Sequence, residues 1–202
     1  MRKEFPLDED SAIVARIASG DLSAFEEMVR KYQAAVYRLA FRATYNHEDA
    51  RDLTQEVFLD AFRSIRGFRR DSKLGTWLYR IATNKTIDWW RKQRRQGARV
   101  ISFTCLEEVS CQDNPEGHSG EFDPPDDDIG PEEIVINRER AELLWREVAE
   151  LPENYRIVII LYHYEGLSYR EIGEILKLPL RTVETRLYRA KKILQSRLVG
   201  GR

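Results

Sequence analysis

Apolar residues recur at three- and four-residue spacing through residues 21–45, where Phe25, Met28, Val29, Tyr32, Val36, Leu39 and Ala40 share one side of a helical projection. The spacing predicts a long amphipathic helix, and Ser23 with Glu26 three residues on reads as a capping box at its start. Residues 48–65 repeat the pattern with Ala50, Leu53, Val57, Ala61 and Ile65. The opposite face of that second helix, Asp49, Asp52, Gln55, Glu56 and Asp60, is acidic. Residues 67–75 carry a glycine at each end with polar residues between, which predicts a loop. A third helix is expected from Thr76 to Gln96, with Trp77 on its Ile81 side. It sets two adjacent tryptophans, Trp89 and Trp90, against a run of arginine and lysine. Successive helical residues point about 100° apart, so one of the two indoles is expected to close the core, against Leu39 or Tyr32, and the other to lie outside it.

The apolar period fails over residues 99–137, which contain the run "NPEGHSGEFDPPDDDIGPEE", rich in Pro, Gly and Asp and with too little apolar surface to offset the entropy of ordering. This predicts a linker, able to stretch to roughly 130 Å when fully extended. Helices resume from Ile134 to Leu151 and from Glu153 to Tyr164. After Gly166, Ser168 and Glu171 form a capping box, and Ile172, Ile175 and Leu176 face inward. "KLP" (177–179) predicts a tight turn, with Pro179 at the first position of a last helix whose inner face is Val183, Leu187, Ala190 and Leu194. Facing out are Arg181, Thr182, Glu184, Thr185, Arg186, Tyr188, Arg189 and Lys192. Two short helices, a tight turn and a basic outer face match a helix-turn-helix, whose second helix enters the DNA major groove. Arginine can read guanine there, and Glu184 can accept from a cytosine amino group.

Charge sharpens this division. Residues 1–98 carry 19 Lys+Arg against 14 Asp+Glu, residues 99–137 carry 1 against 11, and residues 138–202 carry 13 against 9. Two mildly basic blocks therefore flank one strongly acidic segment, an asymmetry that suits a polyanionic partner. The expected architecture is all-α: two small helical domains, 1–98 and 138–202, joined by a long acidic linker over 99–137. No apolar run approaches the roughly 20 residues that cross a bilayer, and the N-terminus lacks a signal-peptide pattern, so a cytoplasmic protein is expected. Two cysteines, Cys105 and Cys111, are too few for a disulfide framework, and with His118 they match no structural zinc spacing. No metal, cofactor, small-molecule substrate or catalytic constellation is expected: there is no phosphate-binding glycine loop, no HExxH and no nucleophile–base pair.

Four stretches in order, "GDLSAFEEMVRKYQ", "DARDLTQEVFLDAFRSIRGFR", "TWLYRIATNKTIDWWRKQRR" and the helix-turn-helix, resemble bacterial sigma factors of the extracytoplasmic-function (ECF) class of the sigma-70 family. The resemblance implies a non-catalytic specificity subunit of RNA polymerase. Its partners would be core polymerase (the β′ clamp and the β flap), promoter DNA and an anti-sigma factor. It implies that Asp49, Asp52, Gln55 and Glu56 bind the clamp. It assigns the −10 element to Phe68, Arg69, Arg70, Asp71, Ser72 and Lys73 of the loop, with Asn84 lining a pocket for a flipped base and Trp89, Trp90 and Arg91 nearby. An amide can pair with the Watson–Crick edge of an extruded base, and aromatic rings with basic side chains suit unpaired strands. The −35 element falls to Arg181, Thr182, Glu184, Thr185, Arg186, Tyr188 and Arg189. Glu184 stands where many relatives carry a basic or neutral residue. Two other classes fit parts of the sequence: a stand-alone helix-turn-helix repressor whose N-terminal helices dimerise, and a protein-interaction adaptor with solvated charges.

Overall fold

The computed structural model describes residues 7–68, 72–96 and 143–200, and every regular element among them is helical. Helix α1 (Leu7–Ala18) is followed by α2 (Leu22–Thr44), α3 (His47–Ser64) and a short 3₁₀ turn at Ile65–Gly67. Helix α4 (Leu74–Arg95) completes the N-terminal half. The C-terminal half holds α5 (143–149), α6 (Glu153–Ile159) with a π-helical turn at Ile160–Tyr164, α7 (Tyr169–Leu176) and α8 (Leu180–Gly200). The acidic segment 99–137 lies outside the described residues.

Local chemistry explains most boundaries. Helix α2 begins at Asp21, whose Oδ1 accepts from the amides of Ser23 and Ala24, so the expected Ser23/Glu26 capping box does not form. Gly20, at φ +94°, makes the preceding turn, and Arg16 holds Asp21 at 2.9 Å. Asn46 caps α3 in the same way as Asp21 caps α2. Helix α4 starts at Leu74, earlier than the loop expected through residue 75, because Leu74 is a buried core residue that draws the first turn inward. Ser168 and Glu171 do form the expected capping box on α7. Pro179 caps α8 from just outside it, its carbonyl accepting from the amides of Thr182 and Val183. Helix α1 is an addition to the sequence-based reading, and Ile13, Val14 and Ile17 bury its apolar side against α2.

The buried stripes coincide with the predicted ones. Met28, Tyr32, Val36 and Leu39 of α2 meet Val57, Ala61 and Ile65 from the α3 side and Leu78 and Ala82 of α4. In the C-terminal half Ile172 and Ile175 meet Val183, Leu187 and Ala190. The two halves do not stand apart. Helix α4 packs on α6 and α7, α2 packs on the π-helical turn, and one continuous apolar core runs through both.

Candidate nucleic-acid interface

Helix α8 presents the residue set expected for a reading helix. Val183, Leu187, Ala190 and Leu194 are buried, which turns Arg181, Glu184, Thr185, Tyr188 and Arg189 outward, with Thr182 and Arg186 half-buried at the edges. Tyr188 is 67% exposed. The Thr185 hydroxyl donates to the Arg181 carbonyl at 2.7 Å, leaving its oxygen lone pairs and methyl outermost. The turn before α8 is fixed from within: Lys177 adopts the left-handed conformation, and the Leu178 amide closes on the Gly173 carbonyl at 2.9 Å.

In the N-terminal half, the α3 stripe buries Ala50, Leu53 and Val57 and exposes Asp52, Gln55 and Glu56, with Asp49 half-buried. The Asp49 carboxyl is held above the usual carboxylate range by burial, then by the neighbouring Asp52 and Glu48. Lys85 crosses from α4 to Asp60 (3.0 Å) and Glu56 (3.3 Å), so part of this acidic face is neutralised from within. Leu59 and Phe62, 54% and 48% exposed, continue the same face. They are apolar residues off the core stripe, a signal present in the sequence that the charge pattern obscured.

The expected −10 residues divide. Asn84 is exposed on α4. Phe68 and Trp77 are half-buried and pack together, ring centres 5.2 Å apart. The Ser72 hydroxyl is buried with no hydrogen-bond partner among the described residues, and Lys73 is half-buried. Arg69, Arg70 and Asp71 lie outside the described residues. Trp90, expected among the DNA-facing residues, is the indole that closes the core. It is 1% exposed, its Nε1–H donates to the Ala43 carbonyl at 2.9 Å, and the Arg156 guanidinium covers its face at 4.5 Å. In this arrangement it cannot meet a base. Trp89 is half-buried against Ala40, Ala50 and Leu53. Arg91 is exposed but paired with Glu153 at 3.1 Å. Arg156 itself donates to the carbonyls of Ala149 and Leu151, and burial lowers its pKa to about 10.

Residues 28–96 match the Sigma-70 region 2 family and residues 141–194 the Sigma-70 region 4 family. The ECF RNA polymerase sigma factor SigW of Bacillus subtilis is 35% identical over 191 residues, covering 92% of this chain and 94% of that protein. The chain belongs to the ECF sigma factor family. The ECF RNA polymerase sigma-E factor of Escherichia coli K12 is 33% identical over 199 residues, covering 94% of each. Two solved structures share the fold. CnrH in complex with the cytosolic domain of CnrY aligns at TM-score 0.64 and 23% identity, over 96% of this chain and 99% of that one. The sigma factor RpoE in complex with the anti-sigma factor NepR from Bartonella quintana aligns at 0.55 and 22%, over 88% and 98%. The region 2 match of this ECF factor spans the acidic α3 face and all of α4, and the region 4 match spans the helix-turn-helix. No metal-ligating cluster is present among the described residues, and none of their helices is long and apolar enough to cross a membrane.

Proposed function

We propose that this ECF factor binds core RNA polymerase through the outer face of α3, with Asp49, Asp52, Gln55 and Glu56 supplying charge and Leu59 and Phe62 apolar area. Segment 68–73 and the α4 surface around Asn84 would then capture and separate the −10 element. Arg181, Thr182, Glu184, Thr185, Arg186, Tyr188 and Arg189 would read the −35 element. Polymerase supplies the chemistry, and this chain supplies the address. Residues 1–98 and 138–202 would serve as the two promoter-reading units and 99–137 as their tether, all within the cytoplasm. An anti-sigma factor as regulator follows by extension from RpoE and NepR.

The observation that carries this reading is the outward residue set on the first three turns of α8, held in place by a fully buried inner face. A solvated hairpin needs no such basic, aromatic and acidic array beside a capped, tightly closed turn. The test is run-off transcription with purified core polymerase on the region upstream of the protein's own gene. A transcript that requires this chain is expected, reduced about ten- to a hundredfold by Arg186→Ala if that side chain makes a base contact. Asn84→Ala is expected to abolish strand opening while sparing −35 binding. Duplex binding by the chain alone, at a palindromic site and without any polymerase-dependent transcript, would instead select the repressor reading.

A further inference from the structure

Within the N-terminal half, one side chain joins the acidic face of α3 to the α4 surface around Asn84. Lys85 follows Asn84 directly, so their Cα atoms stand about 3.8 Å apart. On a helix its side chain leaves about 100° around from that of Asn84. It turns toward α3, where Nζ lies 3.0 Å from Asp60 Oδ2 and 3.3 Å from Glu56 Oε2. Among the described residues no other ion pair joins α3 to α4. The two carboxylates are not equivalent. Asp60 is also met by Arg63 of its own helix at 3.6 Å. Glu56 pairs with Lys85 alone among the described residues, and its side chain is 59% exposed.

Glu56 therefore stands between two cations. One is Lys85, already in place. The other must come from whatever surface complements the acidic row of Asp52, Gln55 and Glu56, because charge complementarity requires that surface to be basic. A cation arriving at Glu56 repels Lys85 and takes one of its two partners. An ammonium on a flexible four-carbon stem is a point charge without a fixed fork, so it can exchange a carboxylate for a phosphate with little reorganisation. A strand captured at Asn84, the neighbouring residue, brings phosphates within reach of that stem.

We propose that Lys85 is a phosphate-binding residue shared between the two surfaces: in the free chain it neutralises Glu56, and docking of core polymerase on Glu56 releases it to the backbone of the −10 strand. This role rests on the functional reading above, which places docking on α3 and strand capture around Asn84. Coupling of this kind is reciprocal, so a strand that takes Lys85 also frees Glu56 and tightens docking. The exposure of the pair limits the effect to about two- to fivefold in affinity.

Lys85→Met removes the charge and keeps the apolar stem. The full chain, labelled with fluorescein, is titrated with core polymerase with and without a saturating single-stranded 30-mer of random sequence. The ratio of the two affinities is the coupling, and any affinity of core itself for the strand is common to all variants. Without DNA, Lys85→Met should bind core about two- to fivefold more tightly, because Glu56 is freed. Its coupling should fall by about the same factor, and the log–log salt dependence of strand binding by the assembled complex should become shallower by about 0.7. Glu56→Gln should lose the same coupling while weakening docking, and K85M/E56Q should lose no more coupling than either single variant. Lys85→Arg should keep it. Core affinity that is unchanged or weakened in Lys85→Met makes Lys85 a mere brace between α3 and α4 and overturns the proposal. So does unchanged coupling in that variant, or losses that add in full in the double variant. Any of these beside a parent that binds core overturns the shared role alone, whereas a parent that fails to bind core refutes the docking reading and the shared role with it.

Discussion

Gly173→Ala tests the helix-turn-helix at its tightest point. A Cβ built on Gly173 would stand 2.9 Å from the Leu178 carbonyl oxygen. Carbon–oxygen contacts of this kind settle near 3.3 Å, so the turn would have to retreat by about 0.4 Å. The obstacle is backbone, which cannot rotate aside as a side chain could. It also belongs to the residue whose amide closes the turn on the Gly173 carbonyl at 2.9 Å, so retreat lengthens that hydrogen bond. Overpacking of this sort costs about 1–3 kcal/mol. Alanine returns about 1 kcal/mol of helix propensity, which leaves a net loss centred near 1 kcal/mol and no greater than about 2 kcal/mol. For a chain of this size that is a fall of about 2–4 °C in Tm, and at most about 8 °C, read by circular dichroism at 222 nm on the intact chain. Lys177→Gly, in the same turn, should move the other way. Lys177 sits at φ +54°, and relieving it should add around 0.5 kcal/mol once glycine's entropy is counted. If Gly173→Ala melts at or above the parent temperature, the Leu178 contact does not constrain the turn and the reasoning fails.

Three further substitutions probe other levels of the structure. Trp90→Ala should cost about 3–5 kcal/mol and Trp89→Ala less than half of that, measured as urea midpoints; the reverse order would overturn the assignment of Trp90 to the core. Leu59→Asp should leave stability within about 0.5 kcal/mol, because Leu59 is more than half exposed, yet weaken binding to core polymerase at least tenfold in an anisotropy titration. Unaltered affinity would remove Leu59 from the docking face. His163 has its pKa lowered by burial and by Lys191, so the folded chain favours the neutral ring. Its contribution is complete above the unfolded value near 6.5 and is lost as pH falls below it, and it is small because the ring is largely open to solvent. His163→Gln should flatten the dependence of the urea midpoint between pH 7 and 5, and an unchanged slope would assign the effect elsewhere.

The helices of both halves were legible because each carries its own apolar period: Ala50, Leu53, Val57, Ala61 and Ile65 are all buried, as are Val183, Leu187, Ala190 and Leu194. The capping box at Ser168 was legible for the same reason, since cap and partner lie three residues apart. The start of α2 was misjudged because two acceptors compete for one set of amides. Asp21, ionised and held by Arg16, outcompetes the Ser23 hydroxyl. Hydrogen bonds from Ser23 and Arg16 outweigh desolvation at Asp21 and lower its pKa to about 2. Helix α1 escaped notice because its core contribution rests on three residues, Ile13, Val14 and Ile17, within a short and partly acidic stretch.

The division of labour between Trp89 and Trp90 marks the limit of periodicity. The 100° offset required one indole in and one out, but choosing between them depends on what lies above the helix. Arg156 covers Trp90, and it comes from the far side of the acidic segment. The same holds for the α4 arginines. As a sequence they read as a patch awaiting phosphate, and the charge count supports that reading. In the fold Arg91 and Arg94 meet Glu153, and Arg80 meets the end of α7. The basic surface read from the sequence is thus partly neutralised by the chain's own carboxylates and carbonyls. Surface ion pairs of this kind contribute about 0–1 kcal/mol each. Glu165 differs from the others in being buried, where removing one partner leaves a desolvated charge. Breaking the Arg42–Glu165 pair should therefore cost more stability than breaking either of the more exposed pairs to Glu153.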